Sequence, residues 1–220
     1  MTAERSLEII TEQIARSRKA VSQLLAKNLI VSGIATIAMS LLIGILVAIL
    51  ETPLPRLLWL VLPFVIWWGI HRNFKQHESQ PGDIISSMVG KTWLTFAMFA
   101  LGFFVLAIAW NRFTVTFDEP SHRMFVHIGP VLMLLMGVAI AMTGFVLKNN
   151  VLVTFGVIGG LLMYFWDTFN LAFMVLARMG VEPQTLVWMD GLLCAIPVTI
   201  FAVVGLLIPG LALKRQTPQL

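Results

Sequence analysis

Asn28-Leu-Ile-Val-Ser-Gly-Ile-Ala-Thr-Ile-Ala-Met-Ser-Leu-Leu-Ile-Gly-Ile-Leu-Val-Ala-Ile-Leu50 contains no charged side chain in 23 residues. A helix rising about 1.5 Å per residue needs roughly 20 such residues to cross a hydrocarbon core of about 30 Å. This run is therefore long enough to span a bilayer. Five further apolar runs follow it. Leu57–Ile70 and Thr92–Asn111 hold 14 and 20 residues. Met124–Leu147 holds 24 with one His, and Gly191–Leu213 holds 23. Val151–Ala177 is apolar apart from Asp167 and Asn170. A chain that is 58% hydrophobic and 12% charged lies outside the range of soluble domains.

The expected fold is all-α, a polytopic membrane protein with six transmembrane helices and an N-terminal amphipathic helix. Residues 1–28 form the cytoplasmic leader and 29–213 the bundle. The spans fall at about 29–50, 54–71, 92–111, 125–147, 151–177 and 186–209, and 214–220 form a cytoplasmic tail. The second span needs to start near Pro53 with Arg56 reaching back to the headgroups. A re-entrant segment shielded by protein is the alternative there.

With six spans, eleven of the 15 Lys and Arg fall on one side: Arg5, Arg16, Arg18, Lys19, Lys27, Arg72, Lys75, Lys91, Lys148, Lys214 and Arg215. Arg56, Arg112, Arg123 and Arg178 fall on the other. This bias places both termini in the cytoplasm of a bacterial inner membrane. The net charge of +4 then reflects topology and does not argue for nucleic-acid binding. The leader is too long and too acidic for a cleaved signal. A single cysteine, Cys194, excludes an internal disulfide. No internal repeat is evident.

In the leader, Leu7, Ile10, Ile14, Ser17, Val21 and Leu24 recur at spacings of 3, 4, 3, 4 and 3. That is a heptad seam with one polar slot. The seam suits a helix lying on the anionic leaflet, a homotypic coiled coil, or a docking helix for a cytoplasmic partner through residues 2–27.

The leader stretch Ser6-Leu-Glu-Ile-Ile-Thr-Glu-Gln-Ile-Ala-Arg-Ser-Arg18, running into a first span, resembles the start of a family of small multi-span integral membrane proteins of Bacteroidetes. Many members carry a Trp-Gly pair in the first span. Here that span reads Ile34-Ala-Thr-Ile-Ala-Met-Ser40, and Trp68-Gly69 occurs in the second instead. The resemblance implies several hydrophobic helices, no catalytic motif and neighbouring winged-helix regulators.

Ionisable groups inside spans are costly and mark candidate sites. Counting residues from the span ends brings Asp167, Asn170, Asp190 and His127 to one outer layer, bordered by Arg112, Arg123 and Arg178. Such a layer could bind a small ligand, a lipid headgroup or a proton. Ordinary helix termini, with Arg178 capping either carboxylate, are the plainer reading. Gly156 and Gly160 form a Gly-x-x-x-Gly that permits close helix packing, within the chain or in a homo-oligomer. Asp118, Glu119, His122 and His127 are metal-ligand types without a recognised spacing, so no metal and no cofactor are expected. No nucleophile elbow, zinc-protease helix, phosphate loop or dinucleotide fingerprint is present. The expected function is that of a non-catalytic, regulatory or scaffold protein in the membrane. The alternative is a small transporter or a lipid- or small-molecule-binding protein using the outer polar layer.

Overall fold

The computed structural model describes residues 3–50, 52, 54–62, 65, 84–117, 128–168, 171–181 and 190–216. Among these every regular element is helical. Helix α1 is Ala3–Leu50, followed by a 3₁₀ segment at Leu54–Leu60. Then come α2 (Ile84–Phe117), α3 (Ile128–Leu147), α4 (Asn150–Thr168) and α5 (Leu171–Arg178). The last helix runs as α6 (Asp190–Phe201), a π segment (Ala202–Leu207) and α7 (Ile208–Gln216). Four stretches are long and apolar enough to cross a membrane: Arg5–Leu50, Ile84–Thr116, Ile128–Leu147 and Ala195–Gln216. Asn150–Trp166 is apolar but shorter. Of the second expected span, 54–71, residues 54–62 and 65 are described and the rest lie outside the described residues.

Several boundaries differ from the sequence reading. The leader is not a separate helix: α1 runs unbroken for 48 residues. No Gly or Pro occurs between Ala3 and Ser32, so nothing stops the backbone hydrogen-bond ladder where the charges end. Helix α2 extends past 92–111 at both ends, because Lys91 and Arg112 lie within it and a charge does not terminate a helix. The fifth stretch is divided. Helix α4 ends at Thr168 and α5 begins at Leu171.

The core forms where two helix pairs meet. The first pair is α3 and α4, joined by the tight turn Lys148–Asn149. Lys148 adopts φ 53, the left-handed conformation at which helices commonly end on glycine. Its N–H donates to the Phe145 carbonyl at 3.2 Å, and the Asn149 N–H donates to the Gly144 carbonyl at 2.8 Å. The Asn149 side chain then caps α4, accepting from the Leu152 N–H at 3.2 Å. The same C-terminal motif closes α5, with Gly180 at φ 80 in the left-handed position.

The second pair is α1 against α6–α7, running antiparallel. Ser40 meets Ala195 through a hydrogen bond. A Cβ on Gly33 would sit 3.3 Å from the Ala202 carbonyl and the Leu206 Cβ. One on Gly210 would sit 3.1 Å from the Leu29 Cβ. Leu25, Ala26, Leu29, Ile140, Leu147, Leu152, Met163, Phe201, Leu206 and Leu213 build one buried cluster across both pairs.

Helix α2 lies at the margin. Ile85, Val89, Ala107 and Thr114 turn inward, whereas Leu94, Met98, Phe99, Leu101, Val105 and Leu106 are exposed. A helix with one buried stripe and an otherwise apolar surface is suited to lipid on its outer face.

Candidate functional site

The closest helix contact is built from glycine. A Cβ on Gly137 would lie 2.6 Å from both the Gly156 carbonyl oxygen and the Gly160 Cα. One on Gly156 would lie 2.7 Å from the Ala141 N, and one on Gly144 would lie 2.7 Å from the Val153 N. Gly156 and Gly160 therefore face α3 of the same chain. The partner positions Gly137, Ala141 and Gly144 were not singled out in the sequence. Their spacing of 4 and 3 is the signal that could have found them. A second close approach joins α4 to the π segment, where a Cβ on Gly159 would lie 3.2 Å from the Gly205 Cα.

Around these contacts the interior holds several hydroxyls. Ser40, Thr114 and Thr143 are 0% exposed, and Ser22, Ser32 and Thr36 are also buried. Thr143 donates to the carbonyl of Ala139 at 2.8 Å on its own helix, which satisfies the group without a tertiary partner. Ser40 reaches across: its hydroxyl donates to the Ala195 carbonyl at 2.9 Å and accepts from the Thr199 hydroxyl at 3.3 Å. This node sits beside Pro197, which has no N–H to give to the carbonyl of residue 193. Further along, the Ile208 N–H bonds back five residues to the Val203 carbonyl, one more than in an α-helix. That widened turn immediately precedes Pro209, whose ring could not follow a regular α-turn without crowding the Gly205 carbonyl. The helix consequently continues to Gln216 instead of ending near Pro209.

The expected outer layer falls only in part within the described residues. Asn170 and His127 lie outside the described residues. Asp167 is the penultimate residue of α4 and Asp190 the first of α6. Arg178 is exposed at the end of α5. The backbone positions of Asp167 and Asp190 can be set against the helix register. The antiparallel register of α4 against α6–α7 follows from the Gly159–Gly205 contact and from Asn149 Nδ2, which donates to Gln216 Oε1 at 2.7 Å. In that register Asp167, eight residues beyond Gly159, lies about 12 Å from the contact. Asp190, fifteen residues before Gly205, lies about 22 Å from it. At ideal helical rise the two backbone positions are thus offset by about 10 Å along the helix axes. Asp167 thus falls at the level of the Ser40–Ala195 node, with Asp190 farther out.

Buried polar atoms lacking a hydrogen-bond partner include the indole nitrogens of Trp93 and Trp166, Asn28 Oδ1, Ser17 Oγ and Arg18 Nε. Among the described residues no group of three His, Cys, Asp or Glu side chains converges as a metal site.

At its N-terminal end α1 extends beyond the bundle. Leu7 is 64% and Ile10 51% exposed, and Ile9 and Ile14 are exposed as well. The heptad seam therefore divides: Val21 packs against the core, while Leu7, Ile10 and Ile14 do not. The Arg16–Glu12 ion pair at 2.6 Å joins successive turns of this exposed segment. No protein-family model, curated protein or solved structure matches the chain.

Proposed function

We propose that this chain is a non-catalytic integral protein of a bacterial inner membrane, with both termini cytoplasmic. In this reading the start of α1 docks a cytoplasmic protein in a regulatory or scaffold role. The observation that carries the reading is the exposed apolar set Leu7, Ile9, Ile10 and Ile14 on a helix continuous with a membrane-crossing stretch. Apolar side chains left exposed where a helix carries charged neighbours favour burial by a partner. Because α1 is unbroken, whatever binds there is coupled to the bundle through a stiff element and not through a flexible linker. The winged-helix regulators implied by the leader's resemblance are the first partners to try.

The test is intact mass spectrometry of the full chain purified from its own membrane in mild detergent. It is compared with a variant carrying Leu7→Gln, Ile9→Gln, Ile10→Gln and Ile14→Gln. Deleting residues 2–27 would be a poor substitute, since Ser22, Leu25 and Ala26 are buried in the bundle. A stoichiometric cytoplasmic protein present on the wild type and absent from a variant with unchanged melting supports the proposal. Identical associates on both chains sink it.

A further inference from the structure

At one end of the bundle the chain gathers cations. The Asn149–Gln216 hydrogen bond ties the α3–α4 turn to the last residue of α7. Lys148 immediately precedes Asn149, and Lys214 and Arg215 immediately precede Gln216. All three cationic side chains are exposed. Lys27 follows Ala26, which packs beneath Gly210 at the same end. Lys91 lies two residues after Val89, a member of the buried cluster that also holds Leu25 and Ala26. The acids with described side chains near this end, Glu8 and Glu12, are at least fourteen residues before Ala26 on α1, about 20 Å away along the helix. Among the described residues none of these five cations is in an ion pair.

Just below the cations the surface turns apolar. Met142 and Phe145 lie within two turns before Lys148 and are exposed. Ile208 and Leu211 lie within two turns before Lys214 and are exposed too. Three positive charges with exposed apolar side chains below them on each helix match a phospholipid, with its phosphate at the charges and its acyl chains along those helix faces. A soluble anion would have no use for those faces. We propose that Lys148, Lys214 and Arg215 form a binding site for the phosphate headgroup of an anionic phospholipid, using the exposed faces of α3 and α7 for its chains. The site does not depend on what docks at the start of α1, so either proposal can fail alone. Only the leaflet assignment, cytoplasmic, rests on the orientation given above.

The experiment uses the full chain in a neutral detergent, with bound lipid counted by native mass spectrometry during titration with phosphatidylglycerol. The same titration is run with phosphatidylcholine, and glycerol 3-phosphate serves as a chain-free competitor. The test variant is Lys148→Gly with Lys214→Gln and Arg215→Gln. Glycine suits φ 53, so this turn retains its conformation. Each cation near a membrane surface is worth about fivefold in affinity, so the triple variant is expected to bind phosphatidylglycerol on the order of 100-fold more weakly. A control variant, Arg16→Gln with Lys19→Gln, removes charge from the projecting part of α1 and should bind like the wild type. Equal losses in both variants would reduce the effect to general surface charge and overturn the site. Equal binding of phosphatidylcholine would overturn it as well. Displacement by glycerol 3-phosphate at matched concentration would show a site for free phosphate and overturn the lipid assignment.

Discussion

At the scale of single residues, hydroxyls buried in the apolar interior show which polar groups join helices. Ser40 and Thr143 are equally buried, yet Thr143 bonds back within α3 whereas Ser40 bonds across to α6. A serine inside an apolar run carries no mark of this difference, because its azimuth is fixed only by the partner helix. Residue type alone points to Asp167 and Asp190, whose cost in a membrane is legible, and not to Ser40. Interhelical hydrogen bonds between hydroxyls in membrane proteins contribute about 0.6 kcal/mol on average and up to about 1.7. Ser40→Ala should therefore lower stability by about 1 kcal/mol, with Thr199→Val costing less, since its 3.3 Å bond is longer. A double-mutant cycle of thermal or denaturant unfolding in detergent measures the coupling. Strict additivity of the two substitutions would remove Ser40–Thr199 as an interacting pair.

Among the elements, the α3–α4 pair shows what glycine spacing can and cannot convey. Gly156 and Gly160 announce a face that another helix can approach closely. Nothing in their spacing says whether that helix belongs to the same chain. The short turn Lys148–Asn149 decides it, since two helices joined by two residues must pack against each other. The glycines of α2 are a built-in contrast: nothing lies within 4 Å of a Cβ at Gly90 or Gly102. Gly137→Ala or Gly156→Ala forces two backbones apart and should cost about 1–3 kcal/mol, as overpacking does. Gly102→Ala should instead stabilise α2 by about 0.5–1 kcal/mol through backbone entropy. Melting temperatures of the three variants in one detergent give the comparison. Equal behaviour would mean that the α3–α4 contact is looser than these distances imply.

For the whole molecule, composition and run lengths make legible that the described residues are helical and that several stretches are long and apolar enough to cross a membrane. The division into elements was less legible where it depended on context. Charges at Lys27, Lys91 and Arg112 suggested ends that the backbone ladder ignores. Pro209 suggested an end that a widened turn avoids. The relative heights of Asp167 and Asp190 could not be read at all, because they depend on the register of α4 against α6–α7. The same limit applies to the leader. Its seam was visible, but its division into a packed half from Val21 onward and an exposed half from Leu7 to Ile14 required the bundle.

Helix α1 carries the exposed Leu7, Ile10 and Ile14 on the same unbroken helix that packs against α6–α7. Spin labels on Glu8→Cys and Ile45→Cys, in a chain with Cys194→Ala reconstituted into bilayers, test this by pulsed electron paramagnetic resonance. Both label sites are exposed. A continuous helix of 37 intervening steps predicts a narrow distance distribution near about 56 Å. A leader that turns near Asn28 to lie along the leaflet would bring the labels to about 40 Å and would contradict the account.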